Sequence, residues 1–292
     1  MKSPAAMPGF LYCADSSRLH PLGFLPHLAI SILTLRPATD RSFGGRCLLT
    51  YYQLSYIYFD NKEFDMDYPK PAVAVDLALI TVLDEKLCCL LMRRHDAEIV
   101  GGDWAIPGGY VHIEEAIEAT AERVLRDKVG LSDVYLEQLY TYGAPARDPR
   151  ERVISVTHFA LVDADRLGQA IADNANLLLA EICADWNEET GGIASAHRID
   201  GETLTLAFDH AFILGDVVKR LRGKLDYTSI ALELLPPLFT LRQAQEVYEA
   251  ILGKQLTKPA FRRKLLDRNI IKPTGKRETG SAFRPAELYA RI

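Results

Sequence analysis

Residues 101–131 read GGDWAIPGGYVHIEEAIEATAERVLRDKVGL, and this stretch decides the fold. It opens as a loop with four glycines and a proline and continues with the period of a helix. Ile117, Ala121, Val124 and Leu125 fall on one apolar stripe, and Gly130 is placed to close the helix. A Gly-rich loop running into a helix start offers backbone N–H groups to an anion. Glu115 suits the positive end of the helix dipole. Positions 124, 127 and 128 lie on adjacent turns of one face, and that face carries a valine, an aspartate and a lysine. Asp127 and Lys128 are expected to form an ion pair.

Working outward, AVAVDLALITVL (72–83) and KLCCLLMRR (86–94) read as a hairpin of two buried strands. Arg93 and Arg94 close the second strand and could reach phosphates. VYLEQLYTYG (134–143) and RVISVTHFALVD (152–163) are two more strands, joined by the polar, turn-rich APARDPRE. DRLGQAIADNANLLLAEICADW (165–186) is expected to be helical. DHAFILGDVVKRLRGKL (209–225) is an amphipathic helix that turns basic at its end and is expected to join two domains. His112 and His158 read as surface or packed histidines rather than ligands.

The last block has its own logic. TLRQAQEVYEAIL (240–252) is a helix with Thr240 placed to cap it and a stripe of Leu241, Ala244, Val247, Tyr248 and Ile251. After the short turn GKQL, TKPAFRRKLLDRNII (257–271) is a second helix, with Thr257 as its expected cap and Pro259 in the first turn. KPTGKRETGSAFRPAELYARI (272–292) reads as a basic hairpin. Two helices, a tight turn and a basic ribbon outline a winged helix-turn-helix. In its second helix Lys258, Arg262, Arg263, Lys264 and Arg268 face away from Phe261, Leu265 and Leu266, which suits a helix laid in the major groove of DNA. Lys276, Arg277 and Arg284 suit a wing against the DNA backbone or minor groove.

The totals agree with two domains. The chain has 292 residues, of which 48% are hydrophobic and 25% charged, with a net charge of −5. Residues 219–292 hold 16 Lys+Arg against 7 Asp+Glu, whereas residues 1–218 hold 18 against 32. The basic tail is the part expected to meet a polyanion. Cys13, Cys47, Cys88, Cys89 and Cys183 show no metal-ligand spacing and read as reduced thiols. The most apolar run, GFLPHLAISILTL (23–35), is too short for a membrane span. Residues 1–65 lack a sustained period. They read as an appendage or, preferably, as a start assigned too early, with translation beginning near Met66.

The loop and helix carry a resemblance. The signature Gly-x5-Glu-x7-Arg-Glu-U-x-Glu-Glu-x-Gly-U of the Nudix family, with U a large apolar residue, aligns without a gap on Gly109, Glu115, Arg123, Leu125, Gly130 and Leu131. The family's three metal-gripping glutamates fall on Val124, Asp127 and Lys128. Mg2+ asks for hard oxygen ligands in near-octahedral geometry. Valine offers none, and lysine places a positive charge where the ion would sit. Phosphate binding need not vanish with the metal, since Lys128 can neutralise a phosphate directly. The expected site residues are Arg93, Arg94, Trp104 (as a stacking platform), Gly108, Gly109, Glu115, Arg123, Asp127 and Lys128, with no metal and no catalytic residue.

From residue 70 onward the chain resembles the Nudix-related transcriptional regulators of NAD metabolism, most strongly in ELLPPLFTLRQAQEVYEAILGKQLTKPAFRRKLLDRNIIKPTG and RPAELYARI. The resemblance implies an α+β chain, a Nudix-like α/β/α sandwich with a mixed sheet followed by a C-terminal winged helix-turn-helix. It implies an effector domain at 66–208, a linker helix at 209–230 and a DNA-binding domain at 231–292. It further implies a cytoplasmic homodimer that reads a palindromic double-stranded operator of NAD biosynthesis genes and senses ADP-ribose or a related nucleotide, with no cofactor required and no membrane partner. The rival is a Mg2+-dependent ADP-ribose or nucleotide-sugar pyrophosphatase using ligands outside the usual motif.

Overall fold

A computed structural model describes residues 70–95, 101–172, 174–186, 190–279 and 285–292. The expectations for residues 1–65 and for Arg284 lie outside them.

The first strand, β1 (Ala72–Leu83), is the axis of the fold. It pairs antiparallel with β2 (Lys86–Arg93) around a turn in which Asp84 and Glu85 both have positive φ, and parallel with β6 (Val153–Leu161) on its other side. Its alternation sorts two cores. Leu77 and Leu79 pack with Ala121 and Val124 of α1 (Ile117–Val124) and with Leu167 of α2 (Ala164–Ala172). Ala78 and Ile80 join the cluster on the opposite face, which holds Ile213, Leu214 and Val217 of α3 (His210–Lys224). The sheet is mixed. β5 (Tyr135–Tyr142), β6, β1 and β2 are followed by β7 (Leu177–Cys183), β8 (Ser195–Arg198) and β9 (Thr203–Leu204).

Three expectations for residues 101–186 are corrected. The Gly-rich loop contains two short strands, β3 (Trp104–Ala105) on β2 and β4 (Gly108–Tyr110) on β1, because its backbone groups complete the sheet there. The helix expected over 165–186 stops at Ala172. The Asn174 side chain accepts from the Asn176 N–H at 3.0 Å, a local turn that competes with helix, and the apolar run after it becomes β7 beside β2. Lastly, α1 does not run regularly to Gly130. Leu125–Val129 form a wide π turn, Leu131 N–H bonds the Leu125 carbonyl at 3.3 Å, and Gly130 at φ 77° ends it.

Beyond α3, a 3-10 turn (Ile230–Leu234) leads to α4 (Leu241–Leu252), α5 (Lys258–Asp267) and the antiparallel pair β10 (Ile271–Arg277) and β11 (Glu287–Arg291). Thr240 caps α4 in a reciprocal box with Gln243. The expected Thr257 cap is not made, and Pro259 in the first turn of α5 is what favours the helix start. The apolar cluster under β1 continues through Leu221 of α3 to Val247, Ile251, Phe261 and Leu265 without a break. Each such side chain contributes about 1.5–3 kcal/mol by leaving water. No helix among the described residues is long and apolar enough to cross a membrane.

Candidate functional site

Five of the expected residues meet at one cavity of about 290 Å3: Arg93, Arg94, Gly108, Gly109 and Lys128. Sheet pairing explains the meeting. β4 lies on β1 with Asp76 opposite Gly108, and the π turn brings Lys128 back over the loop. Gly108 is required there, since a Cβ would lie 2.2 Å from Asp76 Oδ1. The Lys128 ammonium donates to the Gly108 carbonyl. Burial, together with the Arg123 and Arg94 charges, pushes its pKa down, and Asp76 opposes the shift. A cation held this way gains from an anion.

The other four expected residues lie elsewhere. Arg123 and Glu115 are occupied with each other through two 2.8 Å bonds, and Arg123 also holds the Tyr110 carbonyl at 2.9 Å. That guanidinium, with the Thr120 hydroxyl, holds the Glu115 carboxyl down to about 2. The pair braces the loop against α1. Trp104 packs against the α3 side of the core, with Arg198 5.9 Å from its ring centroid. Asp127 does not pair with Lys128. It accepts from Arg126 at 3.0 Å on the exposed side of the helix.

These positions do not fit a magnesium ion. Val124 is 1% exposed and lies 3.0 Å from where a Gly109 Cβ would stand. Asp127 faces outward and the Lys128 amine holds the loop carbonyl. No group of three or more His, Cys, Asp or Glu side chains is gathered for a metal among the described residues.

Sequence reasoning missed most of the cavity wall, including Asp76, Arg147, Asp148, Arg150, Phe208 and His210. Arg147, with a side chain 4% exposed, bonds Asp209 at 2.7 and 3.0 Å and Asp76 at 3.2 Å. Burial opposes its charge, but the two carboxylates outweigh burial and its pKa is raised. Ser155 donates to Asp76 at 2.6 Å. His210 Nδ1 accepts from the Ile106 N–H at 3.1 Å, and burial lowers its pKa, so the ring is neutral. The Phe208 ring has Arg94 4.4 Å and Arg150 5.3 Å from its centroid. The signals were present: a lone aspartate inside an apolar strand, and three arginines within APARDPRER. His112 is exposed and His158 is buried against the Val156 carbonyl at 3.3 Å.

At the basic end, Lys258, Arg262 and Arg263 are exposed on α5, and Lys276 and Arg277 on β10. Two of the expected readers turn towards the linker instead. Arg268 donates to the Leu225 and Thr228 carbonyls at 2.7 and 2.6 Å, and Lys264 donates to Asp226 at 2.6 Å. A larger cavity, about 490 Å3, lies at this junction, between Arg222, Tyr248 and Phe261.

A mixed α/β/α sandwich with a cleft lined by four arginines and a lysine, continued through α3 into a winged helix, defines the class: a Nudix domain fused to a DNA-binding module. Comparison with known proteins agrees. The NUDIX domain profile matches residues 70–182 and the NrtR DNA-binding winged helix domain matches residues 231–290. The chain is 35% identical over 225 residues to the ADPR responsive transcriptional repressor NtrR of Acinetobacter baylyi, covering 76% of this chain and 83% of that protein. Shewanella oneidensis NrtR complexed with a 27mer DNA superposes with a TM-score of 0.62 at 28% identity, over 75% of this chain and 93% of that one. A shorter stretch, 97 residues, is 35% identical to the ADP-ribose pyrophosphatase of Methanocaldococcus jannaschii, over 33% of this chain and 54% of that enzyme. The chain belongs to the NrtR family.

Proposed function

We propose that this chain is a transcriptional repressor of NAD biosynthesis or salvage genes that binds its operator through the winged helix and senses ADP-ribose, or a related NAD-derived nucleotide, in the Nudix cleft. The observation that carries the reading is the cleft's charge: Lys128, Arg94 and Arg150 stand around one cavity, and the motif's metal positions hold a buried valine, an outward-facing aspartate and that lysine. A diphosphate finds there, without a metal, the cations it needs. Family membership and the A. baylyi repressor support the effector, and the S. oneidensis complex supports DNA. On this reading the protein works in the cytoplasm as a homodimer on a palindromic site, requires no cofactor, and does not hydrolyse ADP-ribose. Binding of nucleotide and DNA are then linked: an effector that favours the DNA-incompetent state about 100-fold opposes operator binding by roughly 2.7 kcal/mol.

The test is a mobility-shift titration on the DNA upstream of the NAD biosynthesis genes, with and without ADP-ribose at stated salt. Retardation by the wild type, weakened by Arg262→Ala and Arg263→Ala and altered by ADP-ribose, is the expected result. Mg2+-dependent release of AMP from ADP-ribose at ordinary enzymatic rates would instead establish the pyrophosphatase.

A further inference from the structure

We infer that α3 carries the state of the cleft to the recognition helix α5, and that the Arg147–Asp209 pair at the start of α3 is the contact that reads it. This rests on the proposed sensing of a nucleotide in that cleft. Asp209 directly precedes α3, where a carboxylate normally caps the helix, yet its side chain makes no cap bond. Both its oxygens go to Arg147 instead. Arg147 is itself part of the cavity wall and is tied to Asp76 behind Gly108. One buried guanidinium thus serves two carboxylates, leaving the trio with a net negative charge. A diphosphate entering beside it adds oxygens that compete for the same donors, and Asp209 is the partner that leads directly into α3.

The residue before Asp209 points the same way. Phe208 has φ 55°, a left-handed conformation that is costly for a bulky side chain, and its ring stands beside the Arg94 and Arg150 guanidinium groups. Any shift of those groups onto a phosphate changes what surrounds a strained residue at the root of α3.

The far end of α3 is also bonded. Arg268 grips the Leu225 and Thr228 carbonyls, and Lys264 grips Asp226. Both grips come from α5 and its last turn. A helix of 15 residues, about 22 Å long, therefore has one end set by the cleft and the other bonded to the DNA-reading element.

The experiment uses the full chain. Operator affinity is measured by fluorescence anisotropy with and without saturating ADP-ribose, and ADP-ribose affinity by calorimetry. The ratio of the two operator affinities is the coupling factor. Asp209→Asn, which removes the charge and keeps the side chain's shape, is expected to hold the effector-free operator affinity and the ADP-ribose affinity within about threefold of wild type while the coupling factor falls about tenfold or more towards one. Asp226→Asn, at the other end, is expected to reduce coupling by a smaller factor. Tyr142→Phe, which removes a 2.7 Å bond to Asp216 midway along α3, is expected to leave it unchanged. Wild-type coupling in Asp209→Asn overturns the inference, as does loss of ADP-ribose binding in that variant, which would make the pair part of the binding site. If Asp209→Asn does not fold, unchanged coupling in Asp226→Asn overturns it. A wild type whose operator affinity ignores ADP-ribose removes the sensing reading itself and this inference with it.

Discussion

Replacing Lys128 with methionine removes one charge and little volume. The Lys128 ammonium sits in the cleft against the Gly108 carbonyl, with its pKa pushed down by desolvation and neighbouring cations. A phosphate oxygen taking that carbonyl's place forms a charge-assisted hydrogen bond. Two unit charges 4 Å apart attract by about 4 kcal/mol at an effective dielectric of 20, before desolvation is subtracted. Hydrogen bonds to charged groups net about 1.5–3 kcal/mol. Lys128→Met should therefore weaken ADP-ribose binding by roughly 10- to 150-fold. The bond to Gly108 is exposed, so the same change should alter stability by no more than about 1 kcal/mol. Calorimetric titration in EDTA and in millimolar Mg2+ gives the second arm: wild-type affinity should be the same in both. Lys128→Met binding within twofold of wild type, or wild-type binding that disappears in EDTA, would refute the reasoning.

Restoring two acidic positions with Val124→Glu and Lys128→Glu is expected to yield no Mg2+-dependent hydrolysis. Asp127 stays turned towards Arg126, and a carboxylate at the 1%-exposed position 124 must displace packing near Gly109; release of AMP from ADP-ribose by the double variant would contradict this. On α5, Arg262→Ala should lower the slope of log affinity against log salt by about one, as expected of a phosphate contact. Arg268→Ala should leave the slope alone and lower the melting temperature, because its bonds go to the linker; a salt slope that falls for Arg268→Ala would place it on DNA. Stability should also decline as pH falls below 6.5. Burial lowers the pKa of His210 and of His158, so the fold holds both neutral while the unfolded chain takes up protons near 6.5. The contribution is complete above 6.5 and lost on acidification, by at most about 1.4 kcal/mol per pH unit for each histidine. Urea titrations between pH 5 and 8 check it, and a flat profile from 6.5 to 5 counts against it.

Local pattern was readable and long-range pattern was not. The β1–β2 hairpin follows from β-branched runs around a turn, and the capped α4 from Thr240 and its stripe, since each depends on neighbours in sequence. Residues 177–183 misled because a short apolar run fits a buried strand or a helix equally well until β2 is seen beside it. The cleft was half readable for the same reason. Lys128 and Gly108 belong to one continuous frame, whereas Arg147 meets Asp76 from 71 residues away and Phe208 arrives from the edge of α3. Nor does a helical wheel distinguish Arg262 from Arg268. Only the position of residues 225–228 shows that one is spoken for.

The unbroken apolar cluster from Ile80 through Leu221 to Phe261 has a consequence for how the molecule can be taken apart. Severing the chain ahead of α4 would strip Val247 and Ile251 of their neighbours and leave greasy surface on both fragments. The reading head is thus no detachable cartridge: it borrows its floor from the sensor, and whatever loosens one is felt when the other melts.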